Sequence, residues 1–454
     1  MRHFNINRMA TVVLMVLLTA STSFSGVRRI VLFIADGWGY NQVQAADYWN
    51  GSSAIYEDFP VKLAMSTFSW SALREVSEGY SPDSAWTDFN YVKRRATDSA
   101  AAATAMSTGL KTCDAALNVD PTKNRLETLV EVAEKQGWAT GVITSVEFSH
   151  ATPAGFVAHN PDRGKYRQIA LEMIDSSACE VIMGAGHPFF DDNGAPVKAD
   201  DKAFEYIGGK ECWQRLESGL AGGDRDGDGA PDPWMLVQTR AGFQRLVQGK
   251  APDRVLGVAP VHHTLSFHRD GLASANEPRP PYSEPLNQDA PTLREMTLAA
   301  LNALSRDPDG FFLMVEGGAV DWANHNNVLG RMIEEMNDFN ASVEAVSDWL
   351  EVNGGWAETL VIVTGDHECG YLWGPDSGPG PPPRFNPIAD NGPGEMPGFR
   401  YYHDSHTNSL IPLFAKGAGS ERLSSVVVGK DPVRDAYIDN TGLAKVMFEL
   451  VRER

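Results

Sequence analysis

Apolar runs rich in β-branched residues recur along the chain at Ile30 to Ile34, Gly141 to Thr144, Val181 to Met183, Phe311 to Val315, Leu360 to Thr364 and Leu410 to Phe414. None alternates with polar residues, so each predicts a strand covered on both faces, the signature of a parallel sheet between helical layers. Between them, helical patterns span Ser99 to Thr108, stopped by Gly109, and Leu126 to Gln136, stopped by Gly137. A third runs from Leu293 to Leu304, and Leu329 to Leu350 supplies one long or two shorter helices. The pattern predicts an α/β chain built on a doubly wound, mostly parallel central sheet flanked by helices. Loops leaving the carboxyl ends of such strands build the site, and Asp36, Glu316 and Asp366 stand at those ends.

Two stretches interrupt the pattern. Residues from about 187 to 291 are rich in Gly, Pro and charge, and residues 374 to 404 carry a proline run at Pro381 to Pro383. Both read as insertions over the sheet within one domain spanning 26–454. Loops of this length beside a site tend to be functional.

Between Glu316 and His406 the chain gathers Glu316, Asp321, His325, Asp366, His367 and His406. Mixed carboxylates and imidazoles suit zinc with a magnesium neighbour. Asp321 and His325 are four apart, which on a helical turn projects both from one face. A single His near an Asp is usually a surface or cap residue; six together, at strand ends, reverse that presumption.

Composition sharpens the setting. Arg2 and Arg8, an apolar run from Met9 to Ala20 and small residues at Ser23 and Ser25 read as a signal peptide over 1–25, giving a periplasmic or secreted protein. The run is shorter than the ~20 residues a membrane span needs, and no later segment is predicted to span a bilayer. The formal charge is -20, and loss of Arg2 and Arg8 takes it to -22, which argues against nucleic acid as a partner. Bound divalent cations would supply the local attraction an anionic substrate needs. Export permits disulfides: Cys179 with Cys212 is the favoured pair among the four cysteines, against four buried free thiols.

Two further clusters compete for attention. Asp224, Asp226 and Asp228 followed by Gly229 resemble the opening of a calcium loop, but the twelfth position is Met235, so the choice is a peripheral calcium site or an acidic solvated turn. His262, His263 and His268 have no neighbouring carboxylate in the sequence and are not counted as a metal site.

Ser99 opens an alanine-rich helix. A serine there is most often a cap, yet the free amides and positive dipole of a helix start also cradle anions, and a nearby zinc would make the serine a nucleophile. At this point the residues resemble the alkaline phosphatase family. The matches are IVLFIADGWG at Ile30, ATDSAAAATAMSTGLKT at Ala96, HATPAGFVAHNPDR at His150, FFLMVEGGAVDWANH at Phe311, TLVIVTGDHECG at Thr359 and SHTNSLIPLFAKG at Ser405, in the family's order.

The resemblance implies two zinc ions, one magnesium ion, small-molecule phosphate monoesters as substrates, a covalent phosphoserine and a homodimer. It implies Ser99 as nucleophile and Arg163 as the residue gripping phosphate. It further implies Asp36, Asp366 and His367 on one zinc, Asp321, His325 and His406 on the other, and Asp36, Thr152 and Glu316 on magnesium. Three divalent cations would outweigh the four carboxylates, leaving a positive pocket in an acidic protein. His150 and Trp322 depart from the better-known bacterial type and resemble a marine or cold-adapted subgroup; an imidazole at 150 would hold magnesium less firmly than a carboxylate. Trp322 would narrow the pocket, pack on the leaving group or serve as a buried structural residue. His403 competes with His406, which is preferred because Thr407 and the following strand fit the family frame. A phosphodiesterase of the same superfamily and a metal-dependent phosphate-binding surface protein without turnover are the competing functions.

Overall fold

The computed structural model describes residues 26–74, 79–225 and 228–453. The expected signal segment and Asp226 lie outside the described residues. In chain order the strands are β1 (Arg29–Ala35), β2 (Val61–Ser66), β3 (Ala139–Glu147), β4 (Val181–Ala185), β5 (Met235–Val237), β6 (Val255–Val258), β7 (Phe311–Gly317) and β8 (Thr359–Gly365). They continue as β9 (Glu368–Cys369), β10 (Leu372–Trp373), β11 (Arg400–Tyr401), β12 (His406–Thr407), β13 (Ile411–Gly417), β14 (Val427–Asp431) and β15 (Asp435–Asp439).

Eleven strands form one sheet in the order β14-β15-β2-β13-β8-β1-β7-β3-β4-β6-β5. From β8 to β5 every pairing is parallel. β1 lies at the centre, with Arg29 level with both Phe311 and Thr359. Its alternation explains the unbroken apolar run: Ile30, Leu32 and Ile34 enter one core while Val31, Phe33 and Ala35 enter the other. Each such large side chain contributes about 1.5–3 kcal/mol by leaving water. Helices Ser99–Thr108, Leu129–Lys135, Ala151–Val157 and Asn440–Arg452 cover the first face; Tyr40–Asn50, Leu293–Leu304 and Leu329–Asn353 cover the second.

The helix Ser99–Thr108 is alanine-rich because it is buried on every side, from Ser99 through Ser107. Its neighbour Ala151–Val157 approaches so closely that a Cβ on Gly155 would sit 2.5 Å from the Ala103 Cβ. Asp98 caps the start through Ala101 N at 3.0 Å, and Gly109 ends the helix in the left-handed region at φ 73.

The structure modifies several expectations. β13, the last predicted run, is antiparallel to both neighbours, a direction that apolarity does not encode. The 329 segment is one helix of 25 residues. Residues 187–291 do not merely cover the sheet, since β5 and β6 extend its edge beyond β4. In the second interruption, β10 pairs with β11 and β9 with β12, two antiparallel ribbons that return the chain toward β8. The Cys179–Cys212 bridge is not formed: all four cysteines are free thiols, and Cys179 and Cys212 are packed in the core. Among the described residues, no helix is long and apolar enough to cross a membrane.

Candidate metal centre and active site

Three neighbouring strands deliver the site. Asp36 follows β1, Glu316 is the penultimate residue of β7, and Asp366-His367 follow β8. The short helix Ala319–His325 presents Asp321 and His325. Gly37 takes φ 72, and a Cβ there would meet the Asp321 Cα at 2.6 Å, so only glycine lets the end of β1 turn against that helix. Gly37 N donates to Asp366 Oδ1 at 3.2 Å, and Asn324 donates to Gly37 O at 2.9 Å, fixing three ligand-bearing segments together.

The polar atoms fall into groups. His367 Nε2 lies 3.3 Å from Ser99 Oγ, 3.2 Å from Asp366 Oδ2 and 3.5 Å from Asp36 Oδ1. A second group joins His325 Nε2 to His406 Nε2 at 3.0 Å, with Asp321 oxygens 3.3 Å from the former and 3.5 Å from the latter. His325 Nδ1 donates to Asp404 O at 2.7 Å and His406 Nδ1 to Thr97 O at 2.9 Å, so both Nε2 lone pairs point at each other. Two facing lone pairs beside a carboxylate are repulsive unless a cation or a proton sits between them. His403 is instead placed against Asp404, at 3.7 Å. In a third group Thr144 donates to Glu316 Oε2, while Glu316 Oε1, Thr152 Oγ1 and both Asp36 oxygens are buried without a hydrogen-bond partner in the protein.

That set of orphaned buried atoms, which also includes Asp366 Oδ2, tests whether the residues fit divalent cations. They fit: unpaired buried carboxylates are costly, and cations remove the cost. Acidity tells the same story. Burial first, then the charges of Asp366, Asp321 and Glu316, hold Asp36 well above the usual carboxylate range. Burial likewise pushes Glu316 up to about 7 and, with Asp321, Asp366 up to about 6. Burial opposes the charge on Asp321 too, but His406 and His325 hold its carboxyl well below the ordinary value. Nearby imidazoles thus hold Asp321 charged, while Asp36, Asp366 and Glu316 each keep at least one buried oxygen without a hydrogen-bond partner in the protein.

Ser99 faces this centre from the helix start. Arg163 stands beside the helix start, held by Asp98 Oδ2 at 3.0 Å and His150 Nε2 at 3.3 Å. Burial and the Arg163 charge bring the His150 pKa down to about 3, so the ring is neutral and accepts from the guanidinium. His150 therefore orients Arg163. Trp322 is half-buried, its ring 5.7 Å from His150 and 4.8 Å from His268, forming a wall between them.

Two features escaped the sequence reading. Cys369 pairs in register with His406 and joins the Asp321, His325, His406 group, its thiol pushed well up by burial and the Asp321 charge. Its signal was its place on the strand that continues the Asp366-His367 pair. The second concerns the histidine cluster set aside for lack of a carboxylate: Asp192 stands beside His263 and His268, with one ligand atom from each within 4.8 Å of the others. Asp192 is distant in sequence, and a turn of Asp191-Asp192-Asn193-Gly194 gave no hint of where it would land. In the acidic turn, Asp224 accepts from Gly229 N and Asp228 from Ala230 N, each carboxylate closing its own loop.

Comparison with known proteins follows the same lines. The sequence profile of the alkaline phosphatase family matches residues 27–410. Alkaline phosphatase 3 of Bacillus subtilis (strain 168) is 29% identical over 356 residues, 77% of this chain and 63% of that protein. The Escherichia coli (strain K12) alkaline phosphatase is 28% identical over 371 residues, 76% of this chain and 71% of that protein. The chain thus spans about 63% of the length of the Bacillus relatives it matches. Among solved structures, the alkaline phosphatase of the Antarctic bacterium TAB5 superposes with TM-score 0.65 at 22% identity, covering 94% of this chain and 99% of that one. The Thermus thermophilus enzyme gives 0.63 at 22% identity, covering 94% and 92%. With a profile match running from before β1 to the foot of β13, and the same α/β architecture in its structural neighbours, the chain belongs to the alkaline phosphatase family.

Proposed function

We propose that this protein is an exported phosphate monoesterase that passes the phosphoryl group through Ser99. The observation that carries the reading is Ser99 Oγ at 3.3 Å from His367 Nε2, with Arg163 paired to Asp98, the residue just before Ser99. Asp36, Asp366 and His367 would hold one zinc, Asp321, His325 and His406 a second, and Asp36, Thr152 and Glu316 a magnesium. When bound, these cations would lower the pKa of coordinated oxygens and offset charge on the entering and leaving oxygens.

The chain's own residues then have distinct tasks. Ser99 Oγ loses its proton and forms the new O–P bond as the ester O–P bond breaks and the alcohol departs with a proton. Water later cleaves the serine–phosphate bond and restores the hydroxyl, releasing inorganic phosphate. Arg163 binds two nonbridging oxygens with its planar fork, which Asp98 and His150 keep flat and facing inward. The unpaired amides at the start of the Ser99 helix add positive potential. Trp322 walls the leaving-group side. A homodimer and a periplasmic or secreted location complete the proposal, on family resemblance and the amino-terminal sequence.

The test is a steady-state comparison of an aryl phosphate monoester, diester and sulfate, with and without chelator, together with acid-quenched mass spectrometry of Ser99. Monoester preference, chelator sensitivity and a phosphorylated Ser99 are expected. A diester preferred over the monoester would replace the reading with a phosphodiesterase, and absence of both turnover and phosphoserine would make the chain a binding protein.

A further inference from the structure

Outside the centre described above, Asp192, His263 and His268 meet at the carboxyl ends of two neighbouring strands. Asp192 lies in the loop after β4 and the two histidines in the loop after β6. Asp192 Oδ2 is 2.9 Å from His263 Nδ1 and 3.8 Å from His268 Nδ1, while Asp192 Oδ1 accepts from His263 N at 2.7 Å. The backbone bond fixes the carboxylate, leaving its second oxygen turned toward both rings. Donors around a tetrahedral zinc, each about 2.0–2.2 Å from the ion, stand roughly 3.4 Å apart, between the two observed separations.

A second observation points the same way. Glu147, at the end of β3, is buried, and its Oε2 has no hydrogen-bond partner. It is near enough for the charges of His263 and Asp192 to bear on it. Extra positive charge at the cluster would offset this carboxylate as well as Asp192. The donors have side-chain exposures of 23% for Asp192 and 33% for each histidine, so an ion can enter and water can complete its coordination.

We propose that Asp192, His263 and His268 form a further transition-metal site, of zinc type, separate from the Ser99 centre. Two imidazoles and one carboxylate select a borderline divalent ion over calcium or magnesium, which take oxygen donors. The ion ties the β4 loop to the β6 loop. It also stiffens Trp322, which packs on His268 and reaches His150, the partner of Arg163. The site is thus a positioning element for the pocket wall, and its ligands touch none of the residues assigned to the reaction's cations.

The experiment equilibrates the full chain with buffered free zinc and measures zinc per chain by mass spectrometry, for the native protein and for Asp192→Asn and His268→Gln. Zinc-edge anomalous diffraction from crystals of the loaded native protein accompanies it. One zinc equivalent fewer in each variant, and an anomalous peak between the three side chains, are expected. Equal zinc in native and variant proteins with no peak would overturn the proposal, leaving an Asp192–His263 ion pair only. Loss of two or more equivalents would overturn its independence from the Ser99 centre. Because the readout is a difference in zinc content, it stands whether or not Ser99 is phosphorylated. Asp192→Asn preserves side-chain shape and keeps the test usable if His268→Gln does not fold.

Discussion

Stripping the proposed divalent cations with a chelator exposes a stability term that rests on one histidine. Burial disfavours charge on the His406 ring, but Asp321, by its charge and a hydrogen bond, overrides it and holds the pKa up to about 9 from the ordinary 6.5. A raised folded-state value stabilises fully below the unfolded value of 6.5 and is lost as pH rises through 9. At about 1.4 kcal/mol per pKa unit the whole term is roughly 3 kcal/mol, of which about 2 kcal/mol disappears between pH 7 and pH 9. His150 and His367, both held below the ordinary value by burial, are neutral in the folded chain across that window, and the small slope they add through the unfolded chain is common to both proteins compared. Asp36, raised by burial and by Asp366, ionises in the same direction but is common to both proteins compared. The assay is urea unfolding in chelator at pH 7 and pH 9, for the native chain and His406→Gln. The native chain should lose about 2 kcal/mol more than the variant over this interval. Parallel losses would refute the pairing of His406 with Asp321 as the source.

Other expectations follow from single contacts. Asp98→Ala should cost about 1 kcal/mol more in urea unfolding than Asp98→Asn, because both lose the ion pair with Arg163 and only alanine loses the cap on Ala101; equal losses would show that the cap contributes nothing. Arg163→Lys loses the fork held by Asp98 and His150, and should raise KM for an aryl phosphate by roughly tenfold, the equivalent of one charged hydrogen bond. An unchanged KM would remove Arg163 from phosphate binding. Gly155→Val overpacks the contact with Ala103, so about 1–3 kcal/mol of stability should be lost; kcat should fall too, since the displaced helix carries Ser99. Native-like stability would mean the two helices separate freely.

How much was legible in advance varies by residue. The strands β1, β3, β4, β7, β8 and β13 were readable because both faces are buried and their runs are continuously apolar. β14 and β15 were not, since they lie at the edge of the sheet or one strand in from it, carry Gly429, Lys430 and Asp435 at exposed or part-exposed positions, and bury the charged Asp431. β6 is only four residues long and flanked by proline and charge. The meeting of Asp36, Asp321, Asp366 and His367 was legible because each sits within a few residues of a recognisable strand end, and His325 follows Asp321 by one helical turn.

By itself the sequence determined the apolar runs, the helix stops and the chemical character of the ligand set, because these depend on local pattern and residue type. It also supplied the ordered motifs that mark the family. Tertiary structure decided everything that depends on which distant segments meet. It reversed β13, drew β5 and β6 into the sheet, and left Cys179 and Cys212 as separate thiols. It also brought His406 rather than His403 to Asp321, through the pairing of β12 with β9. Asp192 reached His263 and His268 for the same reason: adjacent strands β4 and β6 align their loops across a gap of some seventy residues, a distance no local pattern records.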